Sequence, residues 1–178
     1  MGLKAADRAV CLVGGWWPSK DLATTDAALH HITRPLTVLV IGDPLDEQTL
    51  RRWRNLPHVR LQATHTPATQ AQIRQVYAAA DATVLAHHPG VGKESGLLAD
   101  AARLGVPLIV SDHHPGLSTR LRDLDWVRMF PAGDAPALAD HLDRLSSALP
   151  KRPGPRAAHQ IGIPTAAEQV AFLAHLPR

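Results

Sequence analysis

Short continuous apolar runs alternate with longer amphipathic stretches along nearly the whole chain. Ala9 to Val13 is the first run; it ends in Gly14-Gly15 and reads as a strand entering a tight turn. Ser19 stands where a helix N-cap belongs, with Asp21 in the first turn, for a helix reaching Ile32. Leu36 to Ile41 is a second buried strand, closed by Gly42-Asp43-Pro44, and Asp46 caps a helix to Asn55. Pro57 marks a break, and Val59 to Ala63 is a third strand, less apolar and therefore expected nearer an edge. Thr69 to Ala80 reads as helix and Ala82 to Ala86 as strand four. A glycine-bearing loop, His87 to Glu94, leads to a helix of good formers from Ser95 to Leu104, which Gly105 stops. Pro107 to Val110 is strand five, Leu117 to Asp123 a short helix, and Trp126 to Phe130 strand six. A helix follows from Ala135 to Leu149.

Strands that are continuous apolar runs, each followed by a helix, predict a parallel sheet covered on both faces. The fold class expected is α/β: a single Rossmann-like doubly wound sheet of about six strands, ordered 3-2-1-4-5-6 by right-handed crossovers. This domain takes in residues 1–150. Lys151 to Arg156 is rich in proline and basic residues, so 151–163 reads as a linker, and Pro164 at a first helical position opens a C-terminal helix over Thr165 to His175. Strands one and four would be neighbours at the switch point of the sheet. The glycine turns that follow them would then face one crevice.

The second of those turns carries the clearest candidate chemistry. A helix start presents unpaired N–H groups and a partial positive charge, which suits a phosphate. Gly90, Gly92 and Gly96 allow close backbone approach, Lys93 adds a mobile cation, and Ser95 can cap the helix or donate to an oxygen. The nucleoside-triphosphatase pattern GxxxxGK[ST] fails, because His87 holds its first glycine position and Glu94 follows the lysine. GxGxxG fails after strand one, since GGWWPS has no third glycine.

His87-His88 and His113-His114 follow strands four and five on the ligand side of the sheet. Adjacent residues in a strand-like stretch point to opposite sides, and no His-x-x-x-His helix is present, so no metal is expected. An imidazole donating to phosphate or to sugar hydroxyls is the better reading of His87 or His88. Trp16 and Trp17 either cap the core or cover a base or partner.

Bulk properties exclude more than they assign. At 178 residues and 45% hydrophobic, one domain with a real core is expected; only 4% is aromatic, so aliphatics and alanine must fill it. The net charge of +3, from 19 basic and 16 acidic residues, is scattered rather than striped, and no nucleic-acid partner is indicated. The single Cys11 leaves no intrachain disulfide and no cysteine-based zinc site, and its expected role is packing. The start MGLKAADR lacks an apolar signal core and no run has the roughly 18 apolar residues of a membrane span. A soluble, cytoplasmic chain is expected.

The order of these features resembles the C-terminal, nucleotide-sugar donor domain of the GT-B glycosyltransferases, particularly the retaining family related to glycogen and sucrose synthases. VGGWWPSK matches a strand, a glycine turn and a lysine at Gly14, Gly15 and Lys20; VIGDP matches a glycine-acid turn. QIRQVYAAADATVLAHH and Asp100-Ala101-Ala102-Arg103-Leu104-Gly105-Val106-Pro107-Leu108-Ile109 match the two following family patterns. Pro131, Gly133, Asp134, Leu138 and Leu142 match the closing one, so the resemblance covers residues 9–149.

By that resemblance Lys20, Ser95 and Gly96 hold the donor diphosphate and Asp100 accepts from the ribose hydroxyls; the residues themselves add Gly14, Gly15, Gly92 and Lys93 as diphosphate candidates and His87, His88 and Glu94 as sugar-side candidates. Two positions depart from the pattern: Gly15 stands where the family has an arginine, and Gly92 where it has the first glutamate of its spaced pair. The implied function is the donor-binding half of a glycosyltransferase, with a nucleoside-diphosphate sugar as substrate and no separate cofactor. An acceptor-binding domain or subunit is the expected partner. A non-catalytic module of the same fold, binding a protein or a nucleotide, is the alternative, and a sugar-nucleotide epimerase half a third.

Overall fold

The computed structural model describes residues 8–92, 95–164, 168, 170 and 171, and over residues 9–160 strands and helices alternate up to a final pair of helices. The strands are β1 (Ala9–Val13), β2 (Leu36–Gly42), β3 (Val59–His65), β4 (Ala82–Leu85), β5 (Leu108–Ser111) and β6 (Val127–Phe130). The helices are α1 (Leu22–His31), α2 (Glu47–Arg54), α3 (Gln70–Ala79), α4 (Gly96–Leu104), α5 (Pro115–Leu121), α6 (Ala135–Arg144) and α7 (Ala157–Gln160). All strand pairs are parallel, in the order β3-β2-β1-β4-β5-β6, which is the expected doubly wound sheet. β3 lies at the edge, in keeping with its mixed burial, while β2 is buried at every position.

Alternation of side chains within each strand assigns the helices to faces. Val10, Val38, Val40, Val84 and Ile109 pack with α1, α2 and α6 in one core. Cys11, Val13, Leu39 and Ile41 face α3, and Leu108 and Val110 face α4, α5 and α7. Cys11 is fully buried, and that burial pushes its thiol up to about 12, so it is a packing residue rather than a nucleophile.

Local capping sets most helix starts. Asp46 accepts from the Gln48 and Thr49 amides, Thr69 and Gln72 form a reciprocal capping box, and Ser95 accepts from the Leu97 amide at 3.3 Å. Gly105 ends α4 in the left-handed region at φ 70°. α1 departs from the sequence expectation. Lys20 is held in an extended bridge, so the helix cannot begin at Ser19, and Asp21 caps it instead. The buried Asp21 carboxylate accepts from the Thr24 amide at 2.9 Å and from its hydroxyl at 2.6 Å. Asp21→Ala is therefore expected to lower stability by about 1–2 kcal/mol, the upper range for a cap; an unchanged urea midpoint would refute that role.

The stretch expected as a linker also differs. Residues 151–156 form neither helix nor strand, but α7 follows, with Ala157 and Ile161 buried against α4 and α5. Two apolar side chains one helical turn apart are enough to seat a single turn on an existing core, and they are easily overlooked beside KRPGPR. α6 stops at Arg144 rather than Leu149, and α5 begins at Pro115 rather than Leu117. Most of the expected C-terminal helix over 165–175 lies outside the described residues; Glu168, Val170 and Ala171 within it are helical.

Candidate functional site

The first glycine turn is built for close packing. Gly14 has φ 83° and donates its N–H to the Ile41 carbonyl, while the Trp16 N–H donates to the Pro44 carbonyl. A Cβ on Gly15 would lie 2.2 Å from the Asp43 carbonyl oxygen, and one on Gly42 would lie 2.4 Å from the Gly14 carbonyl carbon. The Gly14-Gly15 turn is thus interlocked with the turn that ends β2. Gly15 faces that turn and does not line the crevice.

Beyond it the chain crosses to β4. Lys20 and His87 form an antiparallel backbone bridge, the Asp21 N–H donates to the Ala86 carbonyl, and the His88 N–H donates to the Ser19 carbonyl. The loops after β1 and β4 are therefore joined by main-chain hydrogen bonds at the switch point of the sheet. The β5 loop is tied in as well, through Gly90 N–H to the His113 carbonyl and His87 N–H to the Ser111 hydroxyl at 2.9 Å.

These bridges enclose a cavity of about 320 Å3 lined by Trp17, Ser19, Lys20, His87, Val91, Ser95 and Gly96. α4 opens onto it by its N-terminus. Ser95 caps the Leu97 amide, which leaves the Gly96 N–H as a helix-start donor without an intrahelical partner.

Lys20 Nζ donates to the Val13 carbonyl at 2.8 Å and the Gly14 carbonyl at 3.2 Å. An ammonium has three N–H donors, so one is left over. Burial holds its pKa down at about 8, because the charged form has lost water and gained only neutral carbonyls.

His87 is only 5% exposed, and neither ring nitrogen has a hydrogen-bond partner. Its pKa is held down at about 4, first by burial, then by His113 and Lys20, offset in part by the Ser19 backbone. The ring is neutral at pH 7, a buried polar group with both nitrogens unsatisfied beside a cavity. Such a group costs stability unless a ligand satisfies it.

His88 turns the other way: half exposed, its Nδ1 lies 3.8 Å from Asp21 at the start of α1. Trp16 caps the core against Trp53, with ring centroids 5.3 Å apart, whereas Trp17 is 57% exposed and flanks the cavity. Asp100 lies further along α4, off the cavity wall. Burial raises its pKa, Arg103 opposes that, and its charge reaches the buried Tyr77 on α3. Lys93 and Glu94 lie outside the described residues.

Of the candidate diphosphate residues, the fold brings Lys20, Ser95 and Gly96 to one cavity with His87. Gly92 lines an adjoining one with His113, His114 and Arg120. Val91, Ser111 and Arg120 are contributions that sequence reasoning missed, since nothing in their local context marks them. Among the described residues no group of three or more His, Cys, Asp or Glu side chains could hold a metal, and no helix is long and apolar enough to cross a membrane.

This architecture recurs in solved structures. The apo form of the lipopolysaccharide outer core galactosyltransferase WaaB superposes with TM-score 0.68 at 17% identity, covering 98% of this chain and 51% of that one. Anabaena Alr3699/HepE in complex with UDP and glucose gives TM-score 0.70 at 17% identity, covering 97% and 49%. Sucrose-phosphate synthase from Thermosynechococcus elongatus gives 0.71 at 22% identity, covering 97% and 45%. The chain thus spans about half the length of these structures, and at such identities the likeness is one of fold. No individually curated protein matches the chain by sequence. The family model "Glycosyl transferases group 1" matches residues 7–148, most of the chain, so this chain belongs to the group 1 glycosyl transferases.

Proposed function

We propose that the chain is the donor-binding half of a GT-B-type glycosyltransferase, taking a nucleoside-diphosphate sugar and completed by an acceptor-binding domain or subunit. The observation that carries this reading is the main-chain bridge between Lys20 and His87, which sets a desolvated ammonium beside the open start of α4. A diphosphate suits what converges there: the remaining Lys20 donor, the Gly96 N–H with its helix dipole, and a neutral His87 that can donate one N–H. Alr3699/HepE, solved with UDP and glucose, has the same fold, which supports the ligand class.

In the assembled enzyme the bond between the sugar's anomeric carbon and the diphosphate oxygen breaks, and negative charge grows on that oxygen. Fixed donors in a partly dry cavity stabilise that charge more than they stabilise the bound ground state, which is the requirement for catalysis. Trp17 supplies a flat apolar wall at the mouth. Gly15 brings no cation, so Lys20 carries more of the diphosphate charge here than the family pattern assigns to one lysine.

The test is thermal stabilisation by UDP, GDP, ADP and dTDP. One of them should raise the melting temperature in a saturable way, by about 2.7 kcal/mol of added stability at a hundred times its Kd. No response to any of the four would leave the non-catalytic module as the better reading.

A further inference from the structure

His87 and His113 line two adjoining compartments, and their rings meet between them with centroids 4.9 Å apart and planes inclined at 32°. The end of β5 holds His87 in that place. Ser111 is 1% exposed, and its Oγ accepts from the His87 N–H at 2.9 Å and donates to the His87 carbonyl at 3.3 Å. One hydroxyl thus satisfies both main-chain polar groups of a buried residue. The bridge to Lys20 leaves those two groups unused, since the Asp21 and His88 N–H groups make it. The His87 peptide is therefore held by the Lys20 segment on one side and by Ser111 on the other.

His113 does not compete for the Ser111 proton. Its Nδ1 lies 2.8 Å from the Ser111 carbonyl oxygen, which can only accept, so Nδ1 carries a hydrogen. Nδ1 is also 3.0 Å from Ser111 Oγ, but a nitrogen bearing a hydrogen cannot accept one, and the hydroxyl proton goes to the His87 carbonyl. Burial holds the pKa of His113 down, so the ring packed on His87 is neutral. The Gly90 N–H donates to the His113 carbonyl and ties the rest of the β4 loop to the same segment. The end of β5 thus fixes His87 twice, its main chain through a hydroxyl and its ring through a packed imidazole.

The His87 ring borders the first cavity with both nitrogens unpaired, so the placing of its main chain decides where its N–H points. We infer that Ser111, without lining that cavity itself, is a positioning residue for the donor diphosphate: its hydroxyl sets the His87 imidazole against the ligand. Without the hydroxyl the His87 N–H and carbonyl are buried and unpaired. That state is costly enough for the peptide to turn toward other partners, and the ring turns with it. The inference rests on the diphosphate occupying the first cavity, as proposed above.

A double-mutant cycle on the full chain tests it, read as the Kd from isothermal titration with whichever of UDP, GDP, ADP and dTDP stabilises the wild type. Ser111→Ala is expected to weaken binding about 10-fold, the scale of one hydrogen bond to a charged group, and His87→Leu by a similar factor. His87→Leu removes a buried ring with unsatisfied nitrogens and so keeps the fold. In the His87→Leu background Ser111→Ala should cost less than about 2-fold more, because its effect runs through the missing imidazole. The His87 ring resonances, assigned by their loss in His87→Leu, should move on saturation with the diphosphate in wild type and not in Ser111→Ala. Where Ser111→Ala does not fold, Ser111→Cys, close in volume and a weak hydrogen-bonder, takes its place in the cycle. A Ser111→Ala protein that melts lower but binds as tightly as wild type overturns the inference. Losses that multiply in the double variant, or His87 resonances that ignore the ligand in wild type, overturn it too. Each of these leaves the donor reading standing, whereas a wild type that binds none of the four removes both.

Discussion

Lys20→Met lowers affinity for the stabilising nucleoside diphosphate by about 10- to 100-fold, the scale of one charge-assisted hydrogen bond in a partly desolvated site. The stem of methionine keeps the packing, so the loss reports the charge. The pH profile separates this from a structural effect. The ligand-free ammonium has a pKa of about 8, and an adjacent diphosphate favours the charged form, so binding takes up a proton above that pH. Wild-type affinity should fall as pH rises beyond 8, where the diphosphate itself, with a second pKa of about 6, no longer titrates. The variant should lack that slope. Stability moves the opposite way: the folded pKa lies below the unfolded value of 10.5, so the penalty for burying the charge is present below pH 8. It is relieved as pH rises from 8 towards 10.5. A variant with undiminished binding, or a wild type with flat affinity from pH 7 to 10, would remove Lys20 from the site.

Gly15→Ala unfolds the protein more easily, by roughly 1–3 kcal/mol and toward the upper end of that range, because the added methyl meets backbone rather than a movable side chain. Its carbon would sit 2.2 Å from the Asp43 carbonyl oxygen and 2.6 Å from the carbonyl carbon. To accommodate it the β1 and β2 turns must separate. That also disturbs Gly14, whose carbonyl holds Lys20 Nζ, so nucleotide affinity should drop with stability. Gly96→Ala is the control: nothing lies within 4 Å of a Cβ there, and alanine suits a helix start sterically. A Gly15→Ala melt coincident with wild type would show that the two turns are not interlocked.

The same pair of glycines marks where the sequence was readable and where it was not. That Gly14-Gly15 forms a tight turn after an apolar strand is local information, and so is the cap that Ser95 places on α4. That Gly15 is small because another turn presses on it, rather than because a ligand does, depends on residues of a different strand. His87 and His88 are a similar case. Their alternation was legible as opposite orientations, but which of the two reached the cavity depended on the β1 loop lying alongside.

Hydrophobic periodicity, turn residues and caps determined the six strands, because each is a short-range property summed over many residues, and the handedness of the crossovers then set their order. Tertiary structure alone decided that Lys20 is drawn out of α1 to bridge His87, that Asp21 caps the helix in its place, and that His113 lies across His87 between two compartments. Those are contacts between segments far apart in the chain, set by hydrogen-bond geometry and packing where the loops after β1, β4 and β5 meet, and no local pattern of residues encodes them.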